Sequence, residues 1–240
     1  MSLPQSAMIL AAGRGERMRP LTDQCPKPLL EAGGKPLIEY HLERLASAGF
    51  ARVVINLGWE GERIRRHLGD GAGFGLEILY SEEGWPALET GGGIVRALPY
   101  FEPGPFLVIN GDVWTDCPLT GLGLGPEDLA HLVVVDNPAH RPEGDFFLNS
   151  GRLDATHGDP VTFAGIGVYR PKLFRERDDA VRKQAFALAP LLHEAIAAGK
   201  VVASFHSGAW CDVGTPERLR ELDGCLKAAD HSGAASVRRD

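Results

Sequence analysis

The feature that most constrains the fold is the first apolar run, Ala7-Met8-Ile9-Leu10-Ala11, which is short, unalternating and followed at once by Gly13. A strand with one wet face alternates polar and apolar residues, whereas a strand covered on both faces reads as a continuous apolar run. The run therefore predicts an inner strand of a parallel sheet. Pro36 to Ala48 carries Leu37, Tyr40, Leu42, Leu45 and Ala48 near helical spacing, with Gly49 as a stop. Arg52 to Leu57 reads as the next strand, Glu60 to Leu68 as a second helix, and Leu76 to Tyr80, Phe106 to Asn110 and His131 to Val135 as further strands, with a helix over Gly91 to Leu98. Such alternation calls for βαβ units. The expected architecture is α/β, a three-layer, mostly parallel Rossmann-like sheet with helices on both faces.

Downstream the pattern loosens. Pro138 to Pro160 is rich in Pro, Gly, Asp and His and reads as loop; Phe163 to Tyr169 and Val201 to His206 read as strands, Leu188 to Ala198 and Pro216 to Ala229 as helices. One domain over 1–230 is expected, its halves meeting near 115, with 231–240 a disordered tail.

Composition removes several classes of function. A formal net charge of −7 argues against a nucleic-acid or membrane-surface binder, since both partners are polyanions. No apolar run approaches the roughly 18–20 residues that span a bilayer. The four cysteines form no CxxC pair, and no secretory signal opens the chain, so a reduced cytoplasmic setting and a monomer or small homo-oligomer are expected.

Within this acidic chain one segment is basic. Between Arg14 and Lys35 stand Arg14, Arg17, Arg19, Lys27 and Lys35 against Glu16, Asp23 and Glu31. The segment leaves the first strand through Ala11-Ala12-Gly13-Arg14-Gly15, whose glycines let the backbone turn and present N–H groups to an anion. A phosphorylated small ligand fits that combination. Arg17 offers a planar fork and Lys27, between Pro26 and Pro28, a point charge; Arg14, Arg19 and Lys35, taken singly, read more readily as a solvated charge run. Neither the Rossmann fingerprint, which fails at Met18, nor the Walker pattern is present.

Two carboxylates complete the candidate site. Phe106 to Asn110 delivers Asn110 and Asp112 to the carboxyl end of its strand, where ligands bind in open α/β sheets. Asp212 stands just ahead of Gly214-Thr215-Pro216. Mg²⁺ takes one or two protein carboxylates and completes its octahedron with phosphate and water, although a turn or cap role is equally open to both aspartates. Glu89-Thr90-Gly91-Gly92-Gly93 is a third loop, able to bring backbone donors to an anion or sugar, and Glu83 offers an acceptor for a base N–H.

With Ala11-Ala12-Gly13-Arg14-Gly15-Glu16-Arg17-Met18-Arg19-Pro20-Leu21-Thr22, Pro26-Lys27-Pro28-Leu29, Asn110-Gly111-Asp112 and Trp210-Cys211-Asp212-Val213-Gly214-Thr215 in view, the chain resembles the sugar-1-phosphate nucleotidylyltransferases. Glu89 to Gly93, Gly144-Asp145-Phe146 and Thr162 to Ile166 resemble the versions found in the N-acetylmuramate-1-phosphate uridylyltransferases of cell-wall recycling. Two departures stand out: Glu16 occupies a position where many relatives have Thr, and the Glu-Lys-Pro segment that touches the sugar phosphate is absent before Phe163.

The resemblance implies transfer of a nucleoside monophosphate from an NTP, most readily UTP, to a sugar 1-phosphate with Mg²⁺ and release of pyrophosphate. It implies a nucleotide-binding first half and a sugar-binding second half. Ala11, Ala12, Gly13, Gly15, Glu83 and Gly92 would hold the nucleotide, Arg17 and Lys27 would neutralise its triphosphate, and Asp112 and Asp212 would hold the metal. Arg17, Lys27 and Asp112 are the catalytic candidates; Glu89, Asn110, Asp145 and Gly165 are the sugar candidates. A phosphate monoester is largely dianionic at neutral pH, so no side-chain base is required. Competing readings are a mannose-1-phosphate guanylyltransferase and a catalytically inactive nucleotide-sugar sensor; the sensor would require loss of Arg17, Lys27 or a metal aspartate, and all are present.

Overall fold

The computed structural model describes residues 3–174 and 184–236, with side chains described up to residue 229. Its strands are β1 (Ser6–Leu10), β2 (Glu31–Ala32), β3 (Lys35–Pro36), β4 (Arg52–Leu57), β5 (Glu77–Glu82), β6 (Phe106–Asn110), β7 (Val113–Thr115), β8 (Ala130–Val135), β9 (Phe146–Asn149), β10 (Arg152–Asp154), β11 (Asp159–Tyr169), β12 (Val201–Phe205) and β13 (Trp210–Asp212). The helices are α1 (Leu37–Ser47), α2 (Gly61–Leu68), α3 (Glu89–Ala97), α4 (Ala189–Ala197) and α5 (Pro216–Ser236).

Nine strands form one sheet in the order β5-β4-β1-β6-β11-β8-β12-β10-β9. The continuous apolar run of β1 behaves as its sequence requires. Ala7 and Ile9 enter the core beneath α1 and α2, with Ile38, Leu42, Leu45 and Ile64, while Met8 enters the core beneath α3 and α4, with Ile94, Val95, Leu191 and Leu192. Side chains alternate across a strand, so one uninterrupted apolar segment feeds both faces of a three-layer fold. Helix α1 ends where its apolar stripe ends: the Gly49 N–H donates to Ala46 O and the Phe50 N–H to Leu45 O, which satisfies the last carbonyls.

The two ends of the sheet differ. Strands β5, β4, β1 and β6 run parallel, as does the β8–β12 pair; β11 enters antiparallel between β6 and β8, and β9 and β10 close the far edge as an antiparallel hairpin. The mostly parallel character expected of the sheet thus comes chiefly from its first half. Within the segment read as loop from Pro138 to Pro160 lie β9, β10 and the start of β11. Ser150-Gly151 makes the hairpin turn, with φ of 50° and 79°, the positive values a two-residue primed turn needs.

Three boundaries also move. Helix α3 begins at Glu89, so Gly91 to Gly93 lie inside the helix and not in a loop before it. Short strands β7 and β13 pair, with Asp212 opposite Val113. Helix α5 runs past Ala229 to Ser236, which places 231–236 of the expected tail in a helix; Ala228, Ala229, Ala234 and Ala235 are the strongest helix formers and no proline interrupts them. Residues 237–240 lie outside the described ones. Through Leu219 and Leu222, α5 packs on Met18, Leu30 and Leu37, and the Gly33 N–H donates to Asp223 Oδ1 at 2.9 Å, so the end of the chain folds back on the glycine loop.

Candidate active site

The glycine loop leaves β1 pinned at one point and open along the rest. The Ala11 N–H donates to Asn56 Oδ1 at 2.7 Å, and the Trp59 N–H donates to Ala12 O at 3.1 Å. The N–H groups of Gly13, Arg14 and Gly15 have no hydrogen-bond partner among the described residues. Gly15 takes φ 68°, and its carbonyl receives the Thr22 hydroxyl and the Met18 N–H. Consecutive unpaired N–H groups at a left-handed turn make an anion cradle. The backbone of Ala11 supports this cradle without donating to it.

The cations around the loop separate by partner. Arg14 and Arg19 are both paired with Glu16 and Asp23, and Arg14 also lies over the Trp59 ring at 4.1 Å. Lys35 is held by Glu43. Arg17 is exposed and makes no ion pair among the described residues. Of the five basic residues in the segment, Arg17 is therefore the one whose fork is fully available to a ligand. Lys27 is 8% exposed and its Nζ donates to Asp112 Oδ2 at 2.6 Å.

The second carboxylate arrives by a different route. The β7–β13 pairing sets Asp212 beside Asp112, and the Val213 N–H donates to Asp112 O at 2.8 Å. Arg218 Nη1 donates to Asp212 Oδ2 at 3.0 Å and lies 2.9 Å from His140 Nε2. Each aspartate thus has one oxygen neutralised by a cation, while its Oδ1 has no hydrogen-bond partner among the described residues. No group of three or more His, Cys, Asp or Glu converges among the described residues. Two open carboxylate oxygens suit a hard cation that draws its remaining ligands from phosphate and water, and would hold such an ion poorly alone.

Two cavities meet here. One, of about 340 Å³, is lined by Ala11, Ala12, Gly13, Gly15, Lys27 and Glu83 among others. The second, of about 530 Å³, is lined by residues including Asp145, Phe163, Gly165, Trp210 and Asp212. Arg17, Thr90, Asn110 and Asp112 line both, so the charged centre sits at their junction.

The sequence candidates distribute unevenly over this site. Glu89 lines the first cavity, not the second, and holds φ 59°, a strained value for a non-glycine residue. Gly92 lines neither cavity. It is buried in α3, its N–H donates to Phe186 O, and a Cβ there would stand 2.6 Å from Gln184 O. The three glycines serve close packing instead. At Gly93 a Cβ would stand 2.4 Å from Glu83 Oε1 and 3.0 Å from Asn56 Nδ2.

That approach lets Glu83 accept from Asn56 Nδ2 at 2.6 Å and from the Leu88 N–H at 2.7 Å, and burial raises its pKa. A chain of bonds therefore ties β1, β4, β5 and the start of α3 beneath the first cavity. Asp145 accepts from the Phe163 N–H at 2.9 Å and from Arg141. Gly165, at φ 76°, forms the irregular step where β11 shifts register against β8; a Cβ there would stand 2.8 Å from Val113 Cγ2 and 3.1 Å from Asn110 Cβ. His140, Arg141 and Arg218 were not found by sequence reasoning. Arg218 follows the Asp212 motif on the first turn of α5, and that proximity is the signal that could have found it.

Comparison with known proteins agrees with this geometry. The Nucleotidyl transferase family matches residues 6–123. The chain is 50% identical over 224 residues to the N-acetylmuramate alpha-1-phosphate uridylyltransferase of Neisseria meningitidis serogroup B, covering 90% of this chain and 95% of that protein. It is 33% identical over 230 residues to the protein of the same name in Caulobacter vibrioides, covering 89% and 93%. The inositol-1-phosphate CTP transferase structure from T. maritima superposes with a TM-score of 0.72 at 22% identity, covering 95% of this chain and 98% of that one, and so shares the fold. On these grounds the chain belongs to the nucleotidyl transferase family, with the α/β fold and the paired cavities of an enzyme that joins a nucleotide to a phosphorylated small molecule.

Proposed function

We propose that this enzyme transfers uridylyl from UTP to N-acetylmuramic acid 1-phosphate, releasing pyrophosphate, in the recycling of peptidoglycan. The observation that carries the reading is the junction of the two cavities, lined from both sides by Arg17, Thr90, Asn110 and Asp112. The names borne by relatives at 50% and 33% identity supply the nucleotide and the sugar. Four free cysteines suit a reducing cytoplasm, and no helix among the described residues is long and apolar enough to cross a membrane.

The chemistry follows from the charges. An oxygen of the sugar phosphate attacks the α-phosphorus of UTP, and the bond to pyrophosphate breaks. The attacking phosphate is already anionic, so the step needs no side-chain base. The unpaired N–H groups of Gly13 to Gly15 receive phosphate oxygens, and Arg17 and Lys27 neutralise the charge that moves onto the leaving group. Asp112 and Asp212 would hold Mg²⁺, which when bound supplies further charge neutralisation to the phosphates. Each oxygen of Glu83 keeps a lone pair beyond its bond to Asn56 or Leu88, and the imide N–H of uracil can donate to one.

The test is pyrophosphate release from UTP and GTP with N-acetylmuramate, N-acetylglucosamine, glucose and mannose 1-phosphates, with and without excess EDTA. The expected result is release with UTP and the muramyl substrate that EDTA abolishes. Preference for GTP with mannose 1-phosphate would move the enzyme to the guanylyl group.

A further inference from the structure

The sugar of the proposed reaction carries two anions: its 1-phosphate, and the carboxylate of the lactyl group on C3, two carbons along the ring. The phosphate belongs at the junction of the cavities, with Arg17. The lactyl carboxylate needs a cation deeper in the second cavity. Among the described residues no lysine lines that cavity, and the arginines that do are Arg17 and Arg141. Arg17 also lines the first cavity and Arg141 does not. His140 is the remaining basic side chain of the lining, and its Nε2 is turned to Arg218 and Asp212 at the metal end.

From this placement we infer that Arg141 binds the lactyl carboxylate and thereby selects muramyl over unsubstituted amino sugars, a reading that rests on the function proposed above. The loop that carries it is built to hold it still. The Arg141 N–H donates to Pro138 O at 2.8 Å, the Gly144 N–H donates to Arg141 O at 3.2 Å, and Asn137 Nδ2 donates to Pro142 O at 3.0 Å. Thr162 on β11 donates to Asn137 Oδ1 at 2.9 Å, tying the loop to the sheet. Asp145, fixed by the Phe163 N–H, accepts from Arg141 Nη1, which is the one side-chain nitrogen of Arg141 with a partner among the described residues. An arginine oriented by one carboxylate keeps four N–H donors for a second, and the planar fork suits a carboxylate ligand. Asp145 is therefore a positioning residue. Leu188, Leu192 and Phe146 in the same lining give the lactyl and acetyl methyl groups an apolar wall.

The test compares wild type, Arg141→Gln and Arg141→Lys on three acceptors with UTP: N-acetylmuramate 1-phosphate, its lactyl methylamide, and N-acetylglucosamine 1-phosphate, which lacks the lactyl group. Losing a charge-assisted hydrogen bond predicts a fall on the order of 10–100-fold in kcat/KM for the muramyl substrate, chiefly in KM, on Arg141→Gln. Arg141→Lys should recover part of it. The methylamide should be poor for wild type and no poorer for Arg141→Gln, and activity on the glucosamine acceptor should not change. An equal loss on all acceptors, or none on the muramyl one, overturns the assignment of Arg141. Wild type that ignores the lactyl group overturns the substrate reading itself, whatever the variants do.

Discussion

The two halves of the site are built by different means. The half nearest the N-terminus presents backbone: a loop of unpaired N–H groups, with one exposed arginine and one buried lysine beside it. The other half presents side chains, each locked by a charged neighbour, as Asp212 is by Arg218 and Arg141 by Asp145. Donors of the first kind come from contiguous sequence and are fixed by one strand end. Donors of the second kind meet only after β11 and α5 have crossed back over the sheet. A phosphate is common to all substrates of such an enzyme and can be met by backbone, whereas a particular sugar has to be met by side chains that vary.

The comparison can be broken most directly at Arg17. Because Arg17 makes no ion pair among the described residues, Arg17→Ala should lower kcat/KM on the order of 10³-fold while the urea midpoint stays unchanged. A variant that unfolds would show that the residue supports the loop. The next effect belongs beneath the junction, where His41 is fully buried in α1. Burial, reinforced by Arg44, pushes its pKa down to about 4. Between the ordinary value of 6.5 and about 4 the unfolded chain takes up a proton that the native state refuses. Stability is therefore fully present above that window and falls as pH drops through it, by up to about 3 kcal/mol. Urea titrations from pH 7 to pH 4 should show the slope, and His41→Gln should flatten it.

Smaller effects sharpen the contrast. Gly165→Ala has to place a Cβ against Val113 at φ 76°, which should cost about 2 kcal/mol and raise KM for the sugar phosphate more than for UTP. Equal increases in both KM values would detach Gly165 from the sugar side. Arg19→Ala, which removes an exposed partner of Glu16 and Asp23, should change stability by less than about 1 kcal/mol and leave kcat/KM within a few-fold.

What was legible followed the same division. β1, β4, β6, α1 and α2 stand within a residue or two of where the apolar pattern put them, because the helices bury one regular stripe and the strands are covered on both faces. The glycine loop, Arg17, Lys27, Asp112 and Asp212 were read from residue type and place along the chain: Arg17 and Asp112 line both cavities, Gly13, Gly15 and Lys27 the first, and Asp212 the second. Gly92 was misread because three glycines suggest an open anion loop as readily as they suggest a helix pressed against a neighbouring segment. Only the approach of residues 184–186 and of Glu83 distinguishes the two. His140 was illegible for a related reason: a lone basic residue in a polar stretch acquires a role from the carboxylate that faces it, and for His140 that carboxylate, Asp212, lies far along the chain, whereas Arg141 and Arg218 have theirs, Asp145 and Asp212, within six residues.

The closeness of Gly93 to Glu83 also bears on how this sequence can diverge. A carboxylate oxygen occupies the space that any side chain at position 93 would need. Position 93 is not free to grow while Glu83 stays. Exchange of Glu83 for Gln keeps the length and leaves Gly93 in place, but an amide nitrogen replaces one of the two oxygens that accept from Asn56 Nδ2 and the Leu88 N–H. A homologue with alanine or larger at position 93 should carry a shorter residue at position 83, and with it a different partner for Asn56 and a different floor for the base. The pair is thus a marker that can be followed through a lineage, where a change at both positions together would signal a change of nucleotide.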